Sequence, residues 1–380
     1  MRYRKFGRLD FEPSALGFGA MRLPIIGGDT AKIDEPLAID MIRYAIDHGV
    51  NYVDSAYPYH KGQSEVLVGK ALRNGYREKV NLATKMPCWL INTADDFDKY
   101  FNEQLKKLQT DHIDFYLLHG LRAERWGIVR DLGVFKWAEK KIKEGKIGHL
   151  GFSFHDELPL FKEIVDYHDW DFCQIQYNYM DTSYQAGTEG LRYAAKKGLA
   201  VVVMEPIAGG RLAIEPPVGI KELWKEGHHS WKPAEWALQW VWNHPEVSLL
   251  LSGMSTMEQT VENVKAAGRS GAGKLTKDDL KLVDRVAKKY REMGFVGCTG
   301  CRYCAPCPSG VAIPEIFSLF NEFYMKDRDP TVKAKYAAQL KKEQWAKNCV
   351  SCGHCEEMCP QHLPIRNLLR GAGQVFETDR

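Results

Sequence analysis

Tyr52-Val53-Asp54-Ser55-Ala56-Tyr57-Pro58-Tyr59-His60 reads as a short apolar strand running into a proline-containing loop. An acid closes the strand, and a phenol follows five residues later in the loop. In a parallel barrel of strands and helices, chemistry sits at the C-terminal ends of the strands and in the loops that follow them. The stretch therefore carries a fold expectation and a site expectation together, and both depend on whether the chain supplies more units of the same kind.

It does. Apolar segments at 15–21, 52–55, 80–85, 113–119, 147–154, 172–177, 200–205 and 247–253 alternate with amphipathic stretches, among them 36–48, 94–108, 134–144, 188–197 and 233–243. Eight strand–helix units within about 250 residues fit a (β/α)8 TIM barrel better than an open doubly wound sheet. No Gly-x-Gly-x-x-Gly follows the first strand, which weighs further against the open sheet. Two crossovers, 120–133 and 208–232, are longer than a connection needs. Both leave a strand C-terminus, so they either shape a substrate pocket or are surface insertions. Trp236 and Trp240 share a helical face and belong in the core by their spacing.

The chain has 380 residues, 44% hydrophobic and 27% charged, with a net charge of +3. Such a small charge gives no reason to expect a nucleic-acid or membrane surface. The longest apolar run, 199–204, is far too short to cross a bilayer. No apolar run follows the charged N-terminus, so a secretory signal is not expected and the reading is cytoplasmic. The anomaly is cysteine: of ten, eight lie between Cys298 and Cys359. In a cytoplasmic chain that crowding points to metal ligation rather than disulfides.

The expected division is a barrel over 1–275, a linking helix over 276–297 opened by Thr276 and Asp279, and a small domain over 298–380. The last carries helical patterns at 314–326 and 332–347 and is too poor in apolar strands to stand without a staple.

Asp54, Lys85 and His119 stand at the ends of three consecutive strands, and Tyr59 follows in the loop beyond Asp54. A phenol with pKa near ~10 is a poor acid at neutral pH unless its phenolate is stabilised, which a neighbouring ammonium does. Lys85 supplies that charge, Asp54 holds and balances Lys85, and His119 can hydrogen-bond a substrate oxygen. Such a set moves a proton at an alcohol or carbonyl oxygen while something else moves a hydride. Taken singly, each residue also has a structural reading: a strand-end ion pair, a surface aromatic, a satisfied core histidine.

These segments resemble the aldo-keto reductases. Val53-Asp54-Ser55-Ala56 with Tyr59 and Gly62-Gln63-Ser64-Glu65 is similar to that family's Asp-Thr-Ala-x-x-Tyr-Gly signature. Leu82-Ala83-Thr84-Lys85 and Asp114-Phe115-Tyr116-Leu117-Leu118-His119 resemble its lysine and histidine segments. Gly151-Phe152-Ser153, Gln174-Ile175-Gln176-Tyr177-Asn178 and Glu262-Asn263 match further positions, so the resemblance covers roughly residues 1–267. It implies carbonyl reduction with NADP(H) or NAD(H), Tyr59 acting as acid, Lys85 and Asp54 tuning it, and His119 orienting the carbonyl. It further implies that Ser153 and Gln174 hold the nicotinamide amide and that Glu262 and Asn263 hold the adenine end. Phe154 stands where the family often has an asparagine, with His155 as a substitute, and Met204 stands where an aromatic commonly stacks on the nicotinamide. The stretch Gly253-Met254-Ser255-Thr256-Met257-Glu258-Gln259 lacks the basic residues that many members aim at a 2′-phosphate. Arg211, after Gly209-Gly210, is the alternative phosphate ligand.

Cys298, Cys301, Cys304 and Cys307-Pro308 form one run, and Cys349, Cys352, Cys355 and Cys359-Pro360 form the other. The second has the bacterial-ferredoxin spacing C-x2-C-x2-C-x3-C-P, in which the fourth cysteine reaches across to the other cluster. The first has x2 before its last cysteine. Zinc knuckles are the alternative, but two four-cysteine runs each ending in Cys-Pro favour two [4Fe-4S] clusters. The resemblance agrees, because one aldo-keto reductase branch carries such a C-terminal ferredoxin-like domain. Cys88 and Cys173 have no partners in sequence and read as ordinary buried thiols.

The expectation is thus an oxidoreductase acting on a small carbonyl or alcohol substrate, with no nucleic-acid or membrane partner. The clusters either relay electrons to or from a ferredoxin-like carrier or fold and position their own domain. A redox-sensing module that binds NAD(P)H with little turnover is the alternative of a different class.

Overall fold

The computed structural model describes residues 1–326 and 328–377; Asp327 and the last three residues of the expected 298–380 domain lie outside the described residues. Eight strands, β1 (Leu16–Gly19), β2 (Tyr52–Asp54), β3 (Asn81–Met86), β4 (Ile113–Leu121), β5 (Ile147–Phe154), β6 (Phe172–Gln176), β7 (Ala200–Met204) and β8 (Val247–Ser252), occur in the expected order. Each pairs in parallel with the next, and the pairing of β1 with β8 closes the barrel. The helices Glu35–Asp47, Asp95–Leu108, Val134–Lys143, Gly187–Lys196 and Pro233–Trp242 fall within a residue or so of the stretches read from periodicity. The two long crossovers carry helices of their own, Ala123–Asp131 and Val218–Lys225.

The chain divides into two compact units: Met1–Pro206 with Leu238–Leu275, and Ile207–Ala237 with the chain from Thr276 onward. The second crossover thus groups with the C-terminal unit.

The barrel is plugged at its N-terminal end. Phe6 and Leu9 form an isolated antiparallel bridge before β1. The Phe6 ring sits among Tyr52, Phe115 and Phe172, each at the start of a strand, and is fully buried. Large rings at that end close the interior to water, so the strand-end groups at the other end face a floor of protein.

In the C-terminal unit a core of Ile316, Phe317, Phe323, Val332, Tyr336, Ile365 and Leu369 forms between the helices Ile313–Met325, Pro330–Gln339 and Ile365–Phe376. The helix Lys277–Glu292 opens with the anticipated capping box, Thr276 and Asp279 bonding each other's backbone. Helix Val218–Lys225 packs on it, and Arg285 holds Glu226 through two hydrogen bonds of 2.6 and 3.1 Å. Trp224 stacks on Trp236 at 5.0 Å with the rings 18° apart. Gly209 is required here: its φ is +69°, and a methyl group there would lie 2.4 Å from the Thr299 carbonyl oxygen.

One helix is corrected. The 332–347 pattern is a helix only over Pro330–Gln339; Leu340 and Trp345 are extended and two single 3₁₀ turns follow, Lys342–Gln344 and Ala346–Asn348. The run Lys341-Lys342-Glu343-Gln344 offers no apolar face to bury. The chain turns back instead, with the Ala346 amide donating to the Tyr336 hydroxyl at 3.0 Å.

Candidate active site and cysteine centres

The parallel register brings the expected residues to one end of the barrel. Asp54 ends β2 opposite Gly19 and Ala83, and Lys85 on β3 lies opposite Leu117, two residues before His119 on β4. Lys85 is fully buried, and its ammonium donates to both oxygens of Asp54 and to the Ser55 carbonyl, each at 2.7 Å. Burial raises the Asp54 pKa above the usual carboxylate range, against the pull of Lys85. Burial likewise lowers that of Lys85, against the pull of Asp54. Each charge is tolerable in this dry place because the other is 2.7 Å away.

The Lys85 ammonium lies 5.1 Å from the centre of the Tyr59 ring, and Tyr59 meets His119 edge-on at 6.1 Å. His119 is buried, and that burial, followed by Lys85, His155 and Arg125, holds its pKa well below the usual histidine value. A neutral His119 at pH 7 can donate or accept a hydrogen bond without carrying charge into the site.

The loop delivering Tyr59 is braced. His60 and Lys61 both take left-handed backbone angles, φ 52° and 53°, and Gly62 continues at φ 86°. Such angles persist in non-glycine residues only where neighbours over-determine them. His60 does this: its Nε2 accepts from the Leu23 amide at 3.1 Å while Nδ1 faces the Thr30 carbonyl at 2.8 Å, which assigns the proton to Nδ1. Tyr57 is held separately, its hydroxyl donating to Glu103 at 2.9 Å beneath Lys107.

A buried polar group supports Lys85 from behind. Glu65 accepts from Thr84 at 2.7 Å and from Gln104 at 2.6 Å, and the same Gln104 amide donates to the Lys85 carbonyl at 3.0 Å. Tyr116 donates to Gln104 Oε1 at 2.7 Å. In the sequence Glu65 is legible only as part of the signature, and Gln104, an isolated glutamine on an amphipathic helix, gives no signal.

The β4–β5 register shifts between Leu118 and Leu121, where β4 runs past its expected end. Gly120 there has φ 61° and donates its amide to Ser153 Oγ at 2.8 Å, which ties the His119 end to β5. Ser153 and Gln174 are neighbours in register, and both are buried. Gln174 Nε2 approaches the Met204 sulfur at 3.5 Å, while its buried Oε1 has no hydrogen-bond partner among the described residues. A buried amide oxygen left in that state calls for a donor. Phe154 points away, packing on Phe161 at 5.1 Å, whereas the neighbouring His155 lies beside Gly120.

After β8, Asn263 donates to Ser252 at 3.1 Å, and Gln259 accepts from the Ser255 amide at 2.8 Å. A side chain at Gly253 would meet the stem of Arg22, 3.1 Å away, and Arg22 pairs with Glu205 at 3.6 Å. Glu262 stands one residue before Asn263 in the helix Met257–Gly268. Arg211 donates to the Val296 carbonyl at 3.1 Å and to Ala208 at 3.2 Å, so part of its guanidinium is engaged within the C-terminal unit. A surface groove at the opposite barrel end, among Asn51, Arg77, His112 and Asp114, contains none of these strand-end groups.

All ten cysteines are unbridged. Cys88 and Cys173 are buried, and burial pushes the Cys88 thiol up to about 12. The other eight separate into two sets that cross the runs. Cys298, Cys301 and Cys304 line one space together with Cys359, and Cys349, Cys352 and Cys355 line the other together with Cys307. Ile313 forms part of both walls. Among the described residues no three Cys, His, Asp or Glu side chains converge tightly enough to hold a single metal ion. A zinc ion draws four sulfurs to about 2.3 Å from one point; a four-iron cube gives each cysteine its own iron, so its ligands stand further apart.

The comparisons agree with this geometry at both ends of the chain. Residues 15–288 match the Aldo/keto reductase family, and residues 297–364 match the 4Fe-4S dicluster domain. An uncharacterized oxidoreductase, YqkF of Bacillus subtilis, is 29% identical, the match covering 76% of this chain and 97% of that one. The NADH-specific methylglyoxal reductase of Escherichia coli is 26% identical over 77% of this chain and 98% of its own. Among solved structures, aldo-keto reductase AKR11C1 from Bacillus halodurans in its holo form superposes with a TM-score of 0.63 at 28% identity, over 75% of this chain and 96% of that one. Among the described residues no helix is long and apolar enough to cross a membrane. With an eight-stranded barrel closed around Asp54, Lys85, Tyr59 and His119, and a match spanning that whole barrel, the chain belongs to the aldo/keto reductase family of oxidoreductases and carries a 4Fe-4S domain at its C-terminus.

Proposed function

We propose that the protein reduces an aldehyde or ketone to an alcohol, or runs the reverse reaction, using NAD(P)H. The carrying observation is the ammonium of Lys85, held at 2.7 Å by a buried Asp54 and 5.1 Å from the Tyr59 ring. A cation fixed there lowers the cost of a developing phenolate, which is what a tyrosine needs to give up a proton near neutral pH.

In this reading His119 hydrogen-bonds the carbonyl oxygen and sets its direction, and Tyr59 delivers the proton to that oxygen. Asp54 keeps Lys85 charged and in place, and the Glu65–Gln104 group fixes the strand that carries it. The bound dinucleotide supplies the hydride. Ser153 and Gln174 hold its carboxamide, consistent with the buried Gln174 Oε1 that awaits a donor. Met204 would face its ring, Glu262 and Asn263 would hold the adenine end, and Gly253 and Gln259 would border the phosphates.

Cys298, Cys301, Cys304 and Cys359 fit one [4Fe-4S] cluster, and Cys307, Cys349, Cys352 and Cys355 fit a second. The division we propose keeps a barrel over 1–275, a linking helix over 276–297 and the cluster domain over 298–380. The clusters serve chiefly to fold that domain; one-electron relay to a ferredoxin-like carrier is the competing role.

The test is oxidation of NADPH and of NADH by the cluster-loaded protein against a panel of carbonyl compounds. The panel includes a small 2-oxoaldehyde, since one relative is named as a methylglyoxal reductase. Turnover of at least one compound is expected. Tight dinucleotide binding with no turnover on any would replace this reading by a redox-sensing module. A redox titration followed by EPR addresses the clusters: if their reduction leaves both turnover and the nicotinamide oxidation state unchanged, relay is excluded.

A further inference from the structure

Behind the strand that carries Lys85 lies a second buried acid. Glu65 is fully buried, the only buried glutamate among the described residues. It stands in the first turn of the helix Gln63–Ala71, which starts directly after the 3₁₀ turn Tyr59–Gly62. Its Oε1 accepts from Thr84 at 2.7 Å and from Gln104 at 2.6 Å, and its Oε2 lies 3.6 Å from the Lys107 ammonium. Every one of these neighbours is a donor. A proton on Oε2 would face that ammonium and find no acceptor among the described residues. The carboxylate form uses the donors and also faces the positive end of its own helix.

Thr84 and Lys85 are consecutive on β3, so one side chain points out of the barrel and the other into it. Glu65 thus holds the outer face of the residue next to Lys85, and Gln104, its other donor, also donates to the Lys85 carbonyl at 3.0 Å. The helix that follows Tyr59 and the strand that carries its cation meet at this one carboxylate. The charged and titratable groups around it are Lys107 from the helix Asp95–Leu108, Lys85 from β3, Tyr116 from β4 and Tyr57 from the loop before Tyr59. Burial lowers the Lys85 pKa, and Asp54 first and Glu65 after it pull it back up.

We propose that Glu65 is an ionised positioning residue of the proton transfer: it locks Tyr59 and Lys85 in one frame, and its charge, with that of Asp54, holds the Lys85 ammonium in its charged form. The inference rests on the carbonyl-reductase reading above and adds to it a second carboxylate and an upper pH limit. Removing that charge makes the ammonium easier to deprotonate and the phenolate easier to form. Reduction needs Tyr59 protonated and Lys85 charged, so both changes move the alkaline end of its range to lower pH.

The test uses the full-length, cluster-loaded protein. Glu65→Gln keeps the shape and an oxygen to accept both hydrogen bonds while removing the charge; Thr84→Val removes one hydrogen bond and no charge. Two readouts are followed against pH: single-turnover reduction of a compound from the carbonyl panel above, and ionisation of Tyr59 by NMR of protein labelled with carbon-13 at the tyrosine Cζ, its signal assigned with Tyr59→Phe. In Glu65→Gln the alkaline limb of the rate and the Tyr59 ionisation should both fall by about one pH unit, and in Thr84→Val both should stay in place. A third readout needs no variant. Infrared spectra of wild type with carbon-13 glutamate should show no protonated glutamate at pH 7, since every other described glutamate has access to water and ionises well below that pH. A limb and an ionisation that do not move in Glu65→Gln, an equal shift in Thr84→Val, or a protonated glutamate band in wild type overturns the proposal; the last of these decides even if Glu65→Gln does not fold. If no carbonyl is reduced yet Tyr59 ionisation falls in Glu65→Gln, the reductase reading fails while the coupling stands. If carbonyls are reduced and neither pH readout responds to Glu65→Gln, the reverse holds.

Discussion

Replacing Lys85 by methionine separates the two things its ammonium does. For catalysis, a unit charge 5.1 Å from the Tyr59 ring, in surroundings of effective dielectric about 20, stabilises a phenolate by about 3 kcal/mol. Its removal should slow proton delivery by about two powers of ten. For folding, the substitution strands the Asp54 carboxylate, which is buried and loses its bidentate partner. A broken buried pair typically costs about 3–5 kcal/mol, and the Ser55 carbonyl loses its donor as well. The two effects part company in the double variant Lys85→Met, Asp54→Leu, which removes both charges and should recover most of the stability. The assay is single-turnover reduction of a carbonyl substrate, followed by nicotinamide absorbance, beside thermal unfolding of the same preparations. Slow turnover in both variants, with stability low only in the single one, is the expected pattern. Recovery of rate together with stability in the double variant would show that Lys85 acts only as a scaffold, and the reasoning would fail.

Other consequences are as specific. His119 has a folded-state pKa well below its ordinary value because of burial, so the unfolded chain binds a proton there first as pH falls below about 6.5. Its contribution to stability is therefore present above that pH and lost below it, by up to about 1.4 kcal/mol per pH unit. Wild type should accordingly lose more stability than His119→Gln between pH 6.5 and 5; parallel curves would contradict a buried neutral imidazole. If the cysteine sets cross the runs, Cys359→Ser and Cys298→Ser strike the same cluster, so the double variant should retain as much iron as either single one, about four of eight atoms per chain. Cys359→Ser combined with Cys355→Ser should lose both clusters, and iron analysis with EPR distinguishes this from a pairing within each run. Gly209→Ala forces a methyl group to 2.4 Å from Thr299 O at φ 69°, and should destabilise the C-terminal unit by about 1–3 kcal/mol in thermal unfolding.

Much of this was legible in the sequence because it repeats or has spacing. Strand ends at Asp54, Lys85 and His119 were placed by apolar segments whose order the closed barrel repeats, and Cys-x-x-Cys runs announce their chemistry directly. What stayed hidden depends on contacts that no local pattern encodes. Gln104 looks like any polar residue on a helix, yet it joins Glu65, Thr84 and the Lys85 backbone. His60 carries no signal of its own in the sequence, yet its two ring nitrogens brace the loop against Leu23 and Thr30. The 332–347 pattern misled because its polar second half continues the composition of a helix without a face to bury.

The central claim is that Tyr59 is the proton donor of a carbonyl reductase, and Tyr59→Phe tests it most directly, since it removes one oxygen and keeps the ring between Lys85 and His119. Single-turnover carbonyl reduction and nicotinamide binding, measured on the same preparation, should show reduction all but abolished and binding retained. Near wild-type reduction by that variant would contradict the account.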